Sequence, residues 1–579
     1  MKNITLIIPP HLQFNSYANP SDNVKVVKKK DGKFYGNLIT DMPLGPLAIS
    51  SYLKKHIPGI NTKLLDFNIE LNALDAFSYQ SFKEYFENYF SNTDEFNDTE
   101  IFGISCLFSP SYQSLIDIAQ IIKRIYKNAV VMAGGNIPTN MYKEIYKMDR
   151  TSIDYICYGE AELPLLNFLK AEDKKKYVAN STSWITYEKS LKENFKPAHD
   201  FIQNLDEIPL YDYDLCGSRY SQNPTYTSYG SHQDKDSNYH ILTSRGCPFH
   251  CIFCASHKVH GRTMRYYSLD RVKIDLLELK RRGAKTILFQ DDHFMGDQKR
   301  ALEIVKFVGE LGFKFIFQNS LALYALKREF LEAARNAGMD QLVLAVESGS
   351  ERVLRQVMKK PLNLNIVERV VKDCRELGIY TFCNIVMGLP GEAKEDIEDA
   401  RKFLKTIYAN WFGIYIANPL VGSEMFDICI ENDYLHENWI GSDYKQAVVS
   451  TKDWDAEFIK NKAYQLNLEL NIIENSDYRM GNYLVALQAF ERVIGAKESH
   501  AIAYFMAAKC LYKLEKKEKA DLYLKKAQHF YTTDLFWKKH MDHFSVNPFV
   551  LNTNNDCIDS EQENNIKFDF PPVKHFTNY

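Results

Sequence analysis

Along the first 160 residues, short β-branched and aliphatic runs alternate with stretches of helical period. Ile4 to Ile8, Thr62 to Phe67, Ile101 to Leu107, Ala129 to Ala133 and Asp154 to Tyr158 read as strands, whereas Leu44 to His56 and Ser114 to Tyr126 read as helices. Continuous apolar strands separated by helices predict a parallel sheet covered on both faces, a doubly wound α/β domain over residues 1–170. The polar break from His11 to Asp41, with the run Lys28-Lys29-Lys30, fits a functional lid or a floppy insertion equally well.

Residues 171–238 show no sustained period and read as a connector, with the Pro- and Tyr-rich stretch Tyr211 to Tyr229 inside it. The alternation then resumes. Strands are expected at His240 to Thr243, Thr286 to Gln290, Phe313 to Gln318, Gln341 to Val346, Tyr380 to Val386 and Trp411 to Ile416. Helices are expected at Leu269 to Arg282, Lys299 to Leu311, Arg328 to Ala337, Ser350 to Lys359, Leu364 to Leu377 and Lys394 to Tyr408. Six strand–helix units predict a partial (β/α)6 TIM-like barrel over residues 239–440, with its chemistry on the loops at the C-terminal ends of the strands.

A helical extension is expected over 441–476. Over 477–550, GNYLVALQAFERVI and KKEKADLYLKKA align at an offset of 34 residues, which pairs Ala486 with Ala520, Phe490 with Leu524 and Val493 with Ala527. That period resembles tetratricopeptide helical hairpins and fits a helical cap or a peptide-binding surface. Residues 551–579 form a polar, Asn- and acid-rich tail expected to be poorly ordered.

Composition narrows the function classes. The chain of 579 residues is expected to hold about three or four folding units. A formal charge of -3 gives no global pull toward nucleic acid or anionic membranes. Eleven cysteines, odd in number and mostly scattered, suit a reducing compartment. The N-terminus lacks signal-peptide features and no apolar run approaches the ~18 residues of a membrane span, so a soluble cytoplasmic protein is expected.

Only Cys247, Cys251 and Cys254 cluster, in ILTSRGCPFHCIFCAS directly after the first strand of the second α/β region. Three thiolates on one loop can hold three irons of a 4Fe-4S cluster and leave the fourth iron open. Structural zinc is the alternative, with His250 or His257 as a further ligand, but zinc sites usually pair two knuckles from separate loops. The motif Cys-x3-Cys-x2-Cys, its strand context and the following βα units resemble the radical S-adenosylmethionine (SAM) superfamily. The resemblance implies that the open iron binds SAM, and that an electron from the cluster cleaves the sulfonium to release methionine and a 5′-deoxyadenosyl radical. It also implies that Phe253 packs near the adenine, that Glu347 and Ser348 hold the ribose or ammonium, and that the Gly388 turn touches the adenine. Asp291 and Asp292 would orient SAM or substrate, or cap their own loop. Glu392 is expected to cap the next helix, and a core aromatic or a helix-capping carboxylate are the plainer readings of Phe253 and Glu347.

In the N-terminal domain, Ser105, Gly134, Gly135 and Glu160 sit at strand ends, where glycines admit a large ligand to the backbone. The first strand lacks a G-x-G-x-x-G turn. The order of MPLGPLAISSYLKKH, AGG and YGEAE resembles the Rossmann-like cobalamin-binding domain fused to many radical SAM enzymes, across roughly residues 1 to 440. The Asp-x-His-x-x-Gly motif is missing; His11 lies in PPHLQF, and no lower cobalt ligand is assigned. A degenerate scaffold is the alternative. The resemblance implies a cobalamin-dependent radical SAM methyltransferase acting on an unactivated carbon or phosphorus centre. Its substrate would be a small molecule, a peptide or carrier-bound, and its electron donor a flavodoxin or ferredoxin. Non-methylating radical cyclisation or rearrangement is the alternative chemistry. A helical-repeat interaction protein with inactive cofactor domains is the alternative of another class.

Overall fold

The computed structural model describes residues 2–20, 26–38, 40–217, 220, 238–436, 439 and 446–551. Part of the Tyr211 to Tyr229 stretch and the whole tail from Asn552 lie outside the described residues. The chain divides into two compact units: residues 1–229, 234–319 and 418–449 form one, and residues 230–233, 320–417 and 450–579 form the other.

The first unit is built on a six-stranded sheet of β1 (Asn3–Ile8), β2 (Asn61–Asp66), β3 (Ile101–Ser105), β4 (Val130–Gly134), β5 (Tyr155–Cys157) and β6 (Trp184–Ile185). The order is β2-β1-β3-β4-β5-β6, parallel except for the antiparallel edge β6. The topological switch point lies between β1 and β3, where ligands of doubly wound sheets bind. Helices Leu44–His56 and Tyr112–Ile125 form where expected, and the second buries Leu115, Ile118, Ile121 and Ile122.

One helix of this domain is not evident from the strand–helix reading. Phe82–Ser91 starts at Ser81, whose hydroxyl accepts from the Glu84 N–H at 3.1 Å, and it buries Phe82, Tyr85, Phe86 and Phe90. The rings of Tyr85, Phe86 and Phe90 pack with Phe67, which stands 4.5 Å from Phe86 between centroids and edge-on to Tyr85 and Phe90. Edge-to-face aromatic packing of this kind adds to area burial.

The His11 to Asp41 break folds onto the domain. It contains the helix Phe14–Ala18 and an antiparallel pair, Val26–Lys28 with Phe34–Gly36. The middle lysine of the basic run, Lys29, is 7% exposed and donates to the carbonyls of Leu71 and Leu74 at 2.8 Å, caught at the end of helix Phe67–Ala73. The first part of the expected connector is likewise structured: it carries helix Lys174–Asn180 and the edge strand β6, whose Trp184 is buried.

The six strands expected for the partial barrel form as parallel strands, three in each unit. The first unit holds β7 (Asn238–Ile241), β8 (Thr286–Phe289) and β9 (Lys314–Phe317), with β8 central. The second holds β10 (Gln341–Glu347), β11 (Tyr380–Met387) and β12 (Trp411–Ile416), with β11 central. The expected helix at Ser350 to Lys359 contains a π-helical stretch, Val353–Val357, a conformation often found at functional sites.

The second unit continues into helices Tyr483–Ala496, Ala501–Lys513, Lys517–Thr533 and Leu535–His543. Helices beginning at Tyr483 and Lys517 reproduce the 34-residue offset seen in the sequence, and Ala486, Ala520 and Ala527 are fully buried where helices touch.

Candidate functional site

The cysteine loop is closed at its base by an antiparallel pair in which Arg245 lies opposite Arg265. At its entrance Gly246 has φ 93°, and a Cβ there would collide with the Thr263 carbonyl. Such a turn requires glycine. The Cys254 N–H donates to the Cys251 carbonyl at 3.2 Å and the Cys247 N–H to the Gly261 carbonyl at 3.4 Å. All three thiols are half-buried, and burial pushes the Cys247 thiol up to about 11. Cationic irons would offset that penalty by binding the thiolate. The Cys254 sulfur lies 3.4 Å from the Ser256 hydroxyl. Phe253 is half-exposed, while its neighbour Ile252 is buried.

The donor set is three thiols on a single loop, which suits three corners of an iron–sulfur cluster. Among the described residues no three His, Cys, Asp or Glu side chains gather around a point suited to one metal ion.

Asp291, 3% exposed, accepts from the Thr243 N–H at 3.0 Å, the Thr243 hydroxyl at 2.8 Å and the Ser244 hydroxyl at 2.6 Å. It therefore pins the segment leading from β7 into the cysteine loop. Burial raises its carboxyl in spite of those donors. Burial also raises Asp292, whose surroundings are His260, Glu160 and a hydrogen bond from Ser256.

The Glu160 side chain is 4% exposed and both its oxygens are engaged. Arg245 donates to Oε2 at 2.9 Å, Arg265 to Oε1 at 2.6 Å and to Oε2 at 3.0 Å, and His260 Nδ1 lies 2.8 Å from Oε1. The second terminal nitrogen of Arg245 donates to Glu162 at 2.8 Å. Burial opposes ionisation of Glu160, yet the Arg245 charge and the His260 and Arg265 hydrogen bonds hold its carboxyl well below the usual range. Sequence spacing gave no sign of these partners, which lie 83 to 105 residues away.

At the C-terminal ends of the N-terminal sheet, Ser105 pairs with Gly134 in register. Gly135 has φ 94°, and an added Cβ would lie 2.7 Å from the Cys106 carbonyl oxygen. Gly135 thus lets the chain pack on the Cys106 backbone, whereas a Cβ at Gly134 would meet nothing nearer than the Cys157 Cβ at 4.0 Å. At the end of β1, the His11 N–H and ring Nδ1 meet Asn68 Oδ1 at 2.9 and 3.0 Å, and Asn68 Nδ2 donates to Asp66 at 2.8 Å.

In the second unit, β10 ends in a bulge between Ala345 and Glu347, and Glu347 takes φ 67°. A left-handed glutamate is a strained conformation of the sort that collects at functional sites. Its carboxylate accepts from Lys360 at 3.3 Å, and the buried Ser348 hydroxyl accepts from the Ser350 N–H at 3.1 Å. Gly388 has φ 85°; the close approach it permits is by Ile459, 2.8 Å from a Cβ built there. Glu392 does not cap the following helix. Its carboxylate accepts from the Gly388 N–H at 2.6 Å and the Leu389 N–H at 3.2 Å, while Asp396 reaches back to the Ala393 N–H at 2.8 Å to start that helix.

Comparison with known proteins defines the class. The family model of the radical SAM superfamily matches residues 241–404, which include all three clustered cysteines, and that of the B12 binding domain matches residues 42–169. The chain is 28% identical over 373 residues to an uncharacterized methyltransferase of Pyrococcus horikoshii, covering 63% of this chain and 78% of that protein. It is 25% identical over 477 residues to cytidylyl-2-hydroxyethylphosphonate methyltransferase of Streptomyces wedmorensis, covering 75% of this chain and 87% of the relative.

Two solved structures share the fold at 14% identity. The cobalamin-dependent SAM radical enzyme OxsB with aqua-cobalamin bound matches with a TM-score of 0.58 over 96% of this chain and 82% of its own. The radical SAM methyltransferase TsrM of Kitasatospora setae with cobalamin and a [4Fe-4S] cluster matches at 0.52 over 75% and 79%. The chain belongs to the cobalamin-dependent radical SAM enzymes. Its cofactors are a 4Fe-4S cluster, SAM and cobalamin. Among the described residues no helix is long and apolar enough to cross a membrane.

Proposed function

We propose that the chain transfers a methyl group to an unactivated carbon or phosphorus centre. When bound, the cluster with SAM supplies a 5′-deoxyadenosyl radical and cobalamin supplies the methyl group. In this reading the thiols of Cys247, Cys251 and Cys254 hold three irons. Phe253 and Asp292 are the candidate SAM contacts of the first unit, and Glu347, Ser348 and the Gly388 turn are those of the second. Ser105, Gly134 and Gly135 offer backbone to the corrin. Asp291 keeps the cysteine loop in place.

The observation that carries the proposal is the presence of the cysteine loop and the cobalamin-type sheet in one compact unit, joined through Glu160. Two cofactors fixed in one body suit a reaction in which a substrate radical must meet a methyl donor before water or oxygen intervenes. The methyltransferase relatives support the same chemistry. The substrate, small, peptidic or carrier-bound, and a flavodoxin- or ferredoxin-type donor belong to the proposal as well, as does a cytoplasmic location.

The test is anaerobic reconstitution with iron, sulfide and hydroxocobalamin, followed by methyl-labelled SAM and a reductant. The proposal expects both S-adenosylhomocysteine and 5′-deoxyadenosine, and label in the product once a substrate is supplied. Deoxyadenosine without S-adenosylhomocysteine would favour non-methylating radical chemistry. Neither product would point to an inactive interaction protein.

A further inference from the structure

Arg245 stands two residues before Cys247, and His260 and Arg265 follow Cys254, so two guanidiniums and an imidazole sit on the two stems of the cysteine loop. All three converge on one carboxylate, Glu160, which belongs to the YGEAE turn after β5 of the cobalamin-binding domain. Glu162 of the same turn takes the second terminal nitrogen of Arg245. Arg265 also donates to the Ile202 carbonyl at 2.9 Å and stacks on Phe201, 4.0 Å from its ring centroid. The Gly159 backbone is fitted just as closely, since φ 77° and the nearby His199 ring leave no room for a Cβ.

The contacts run on to a sulfur. His260 and Asp292 interact, Ser256 hydrogen-bonds to Asp292, and the Ser256 hydroxyl is 3.4 Å from the Cys254 sulfur. Both ends of the loop and one of its thiols are therefore referred to a single buried anion that the cobalamin-binding domain provides.

We propose that Glu160 is a positioning residue that clamps both stems of the cluster loop to the cobalamin-binding domain, fixing where the cluster stands relative to the corrin and setting the charge around it. The inference rests on the cofactor reading above. A guanidinium pair on one carboxylate is directional as well as strong, because each planar fork accepts only a narrow range of carboxylate orientations. Buried ion pairs of this kind contribute specificity of arrangement more than net stability. A carboxylate beside a cluster also disfavours the extra electron of the reduced state, so its removal favours reduction.

The full-length chain is to be compared with Glu160→Gln and Glu160→Asp. In hydrogen–deuterium exchange without cofactors, Glu160→Gln is expected to speed exchange in peptides covering residues 246–264 about tenfold while β3 and β4 stay protected. After reconstitution, the cluster of Glu160→Gln, followed by its electron paramagnetic resonance during a redox titration, is expected at a higher midpoint potential, and Glu160→Asp is expected to return it toward the wild type. Wild-type exchange and wild-type potential in Glu160→Gln would overturn the proposal, as would a Glu160→Asp cluster displaced as far as the Gln one.

Should Glu160→Gln fail to fold, Arg265→Lys keeps the charge but loses the two-pronged contact. It is expected to speed exchange in the same peptides without moving the potential, and unchanged exchange there would overturn the clamp. Wild-type protein that takes up no iron would instead refute the cofactor reading, and the exchange measurement would still judge the clamp by itself.

Discussion

The Glu392 carboxylate accepts the Gly388 N–H at 2.6 Å in a site where Glu392 is only 2% exposed, so the turn after β11 is held by a nearly water-free acid. Burial raises that acid to about 7, against the opposing pull of the Gly388 and Leu389 N–H groups. A carboxyl raised in the folded state binds its proton more tightly there than in the unfolded chain, so stability falls as pH rises from about 4.5 to about 7. Glu392→Gln stays neutral and retains an oxygen acceptor. Its stability relative to the wild type is expected to grow by about 1.4 kcal/mol per pH unit across that window and then level off. Urea denaturation at stepped pH reads this directly, and a constant difference would refute it.

Gly135 faces the Cys106 carbonyl with no space for a side chain and with φ 94°. Gly135→Ala is expected to destabilise the N-terminal domain by about 1–3 kcal/mol and to weaken cobalamin uptake. Thermal denaturation and absorbance of the bound corrin measure the two effects. Normal uptake at normal stability would show that this turn tolerates displacement.

The three clustered thiols are half-buried. Changing Cys251 to Ala is expected to leave the melting temperature of the cofactor-free protein within a few degrees of wild type. After reconstitution the variant should lose bound iron and all 5′-deoxyadenosine formation. Deoxyadenosine persisting in the variant would refute the ligand assignment, and a metal analysis returning zinc in the wild type would do the same.

Arg375 and Asp477 form a buried pair in the second unit, 2.8 Å apart, with Asn410 donating to the same carboxylate at 3.0 Å. Their side chains are 6% and 3% exposed. Asp477→Ala would strand the guanidinium, and a loss of about 3–5 kcal/mol is expected. Replacing both residues, with Met at 375 and Leu at 477, should recover most of that loss. Denaturation of the single and double variants closes the comparison, and equal loss in both would argue that packing, not charge, dominates.

Strand and helix positions were readable wherever one face of an element is continuously apolar. Helix Leu44–His56 and strand Trp411–Ile416 have the expected bounds, because burial on the sheet dictates their period. Helix Phe82–Ser91 was overlooked because its buried stripe is aromatic and interrupted by Lys83, Glu84, Glu87 and Asn88. The cysteine motif was legible because three ligands fall within eight residues of sequence. The Glu160 contacts were not, since ion pairs across 85 to 105 residues have no local period. The same limit hid the Lys360 partner of Glu347 and the bulge that turns Glu347 into its left-handed conformation, which depend on the register of neighbouring strands. Glu392 was misread because a helix N-terminus and a glycine turn lie within four residues, and local spacing does not say which one an acid serves.

Ile459 presses on Gly388 so tightly that a methyl group could not be added, and the Trp454 indole donates to the Glu392 carbonyl at 2.8 Å. The strand-end turn is therefore backed by residues that follow β12 by some forty positions. Shortening the chain just beyond that strand would strip this backing and leave the turn soft. Any search for a minimal active fragment should retain the helix Ala456–Leu468.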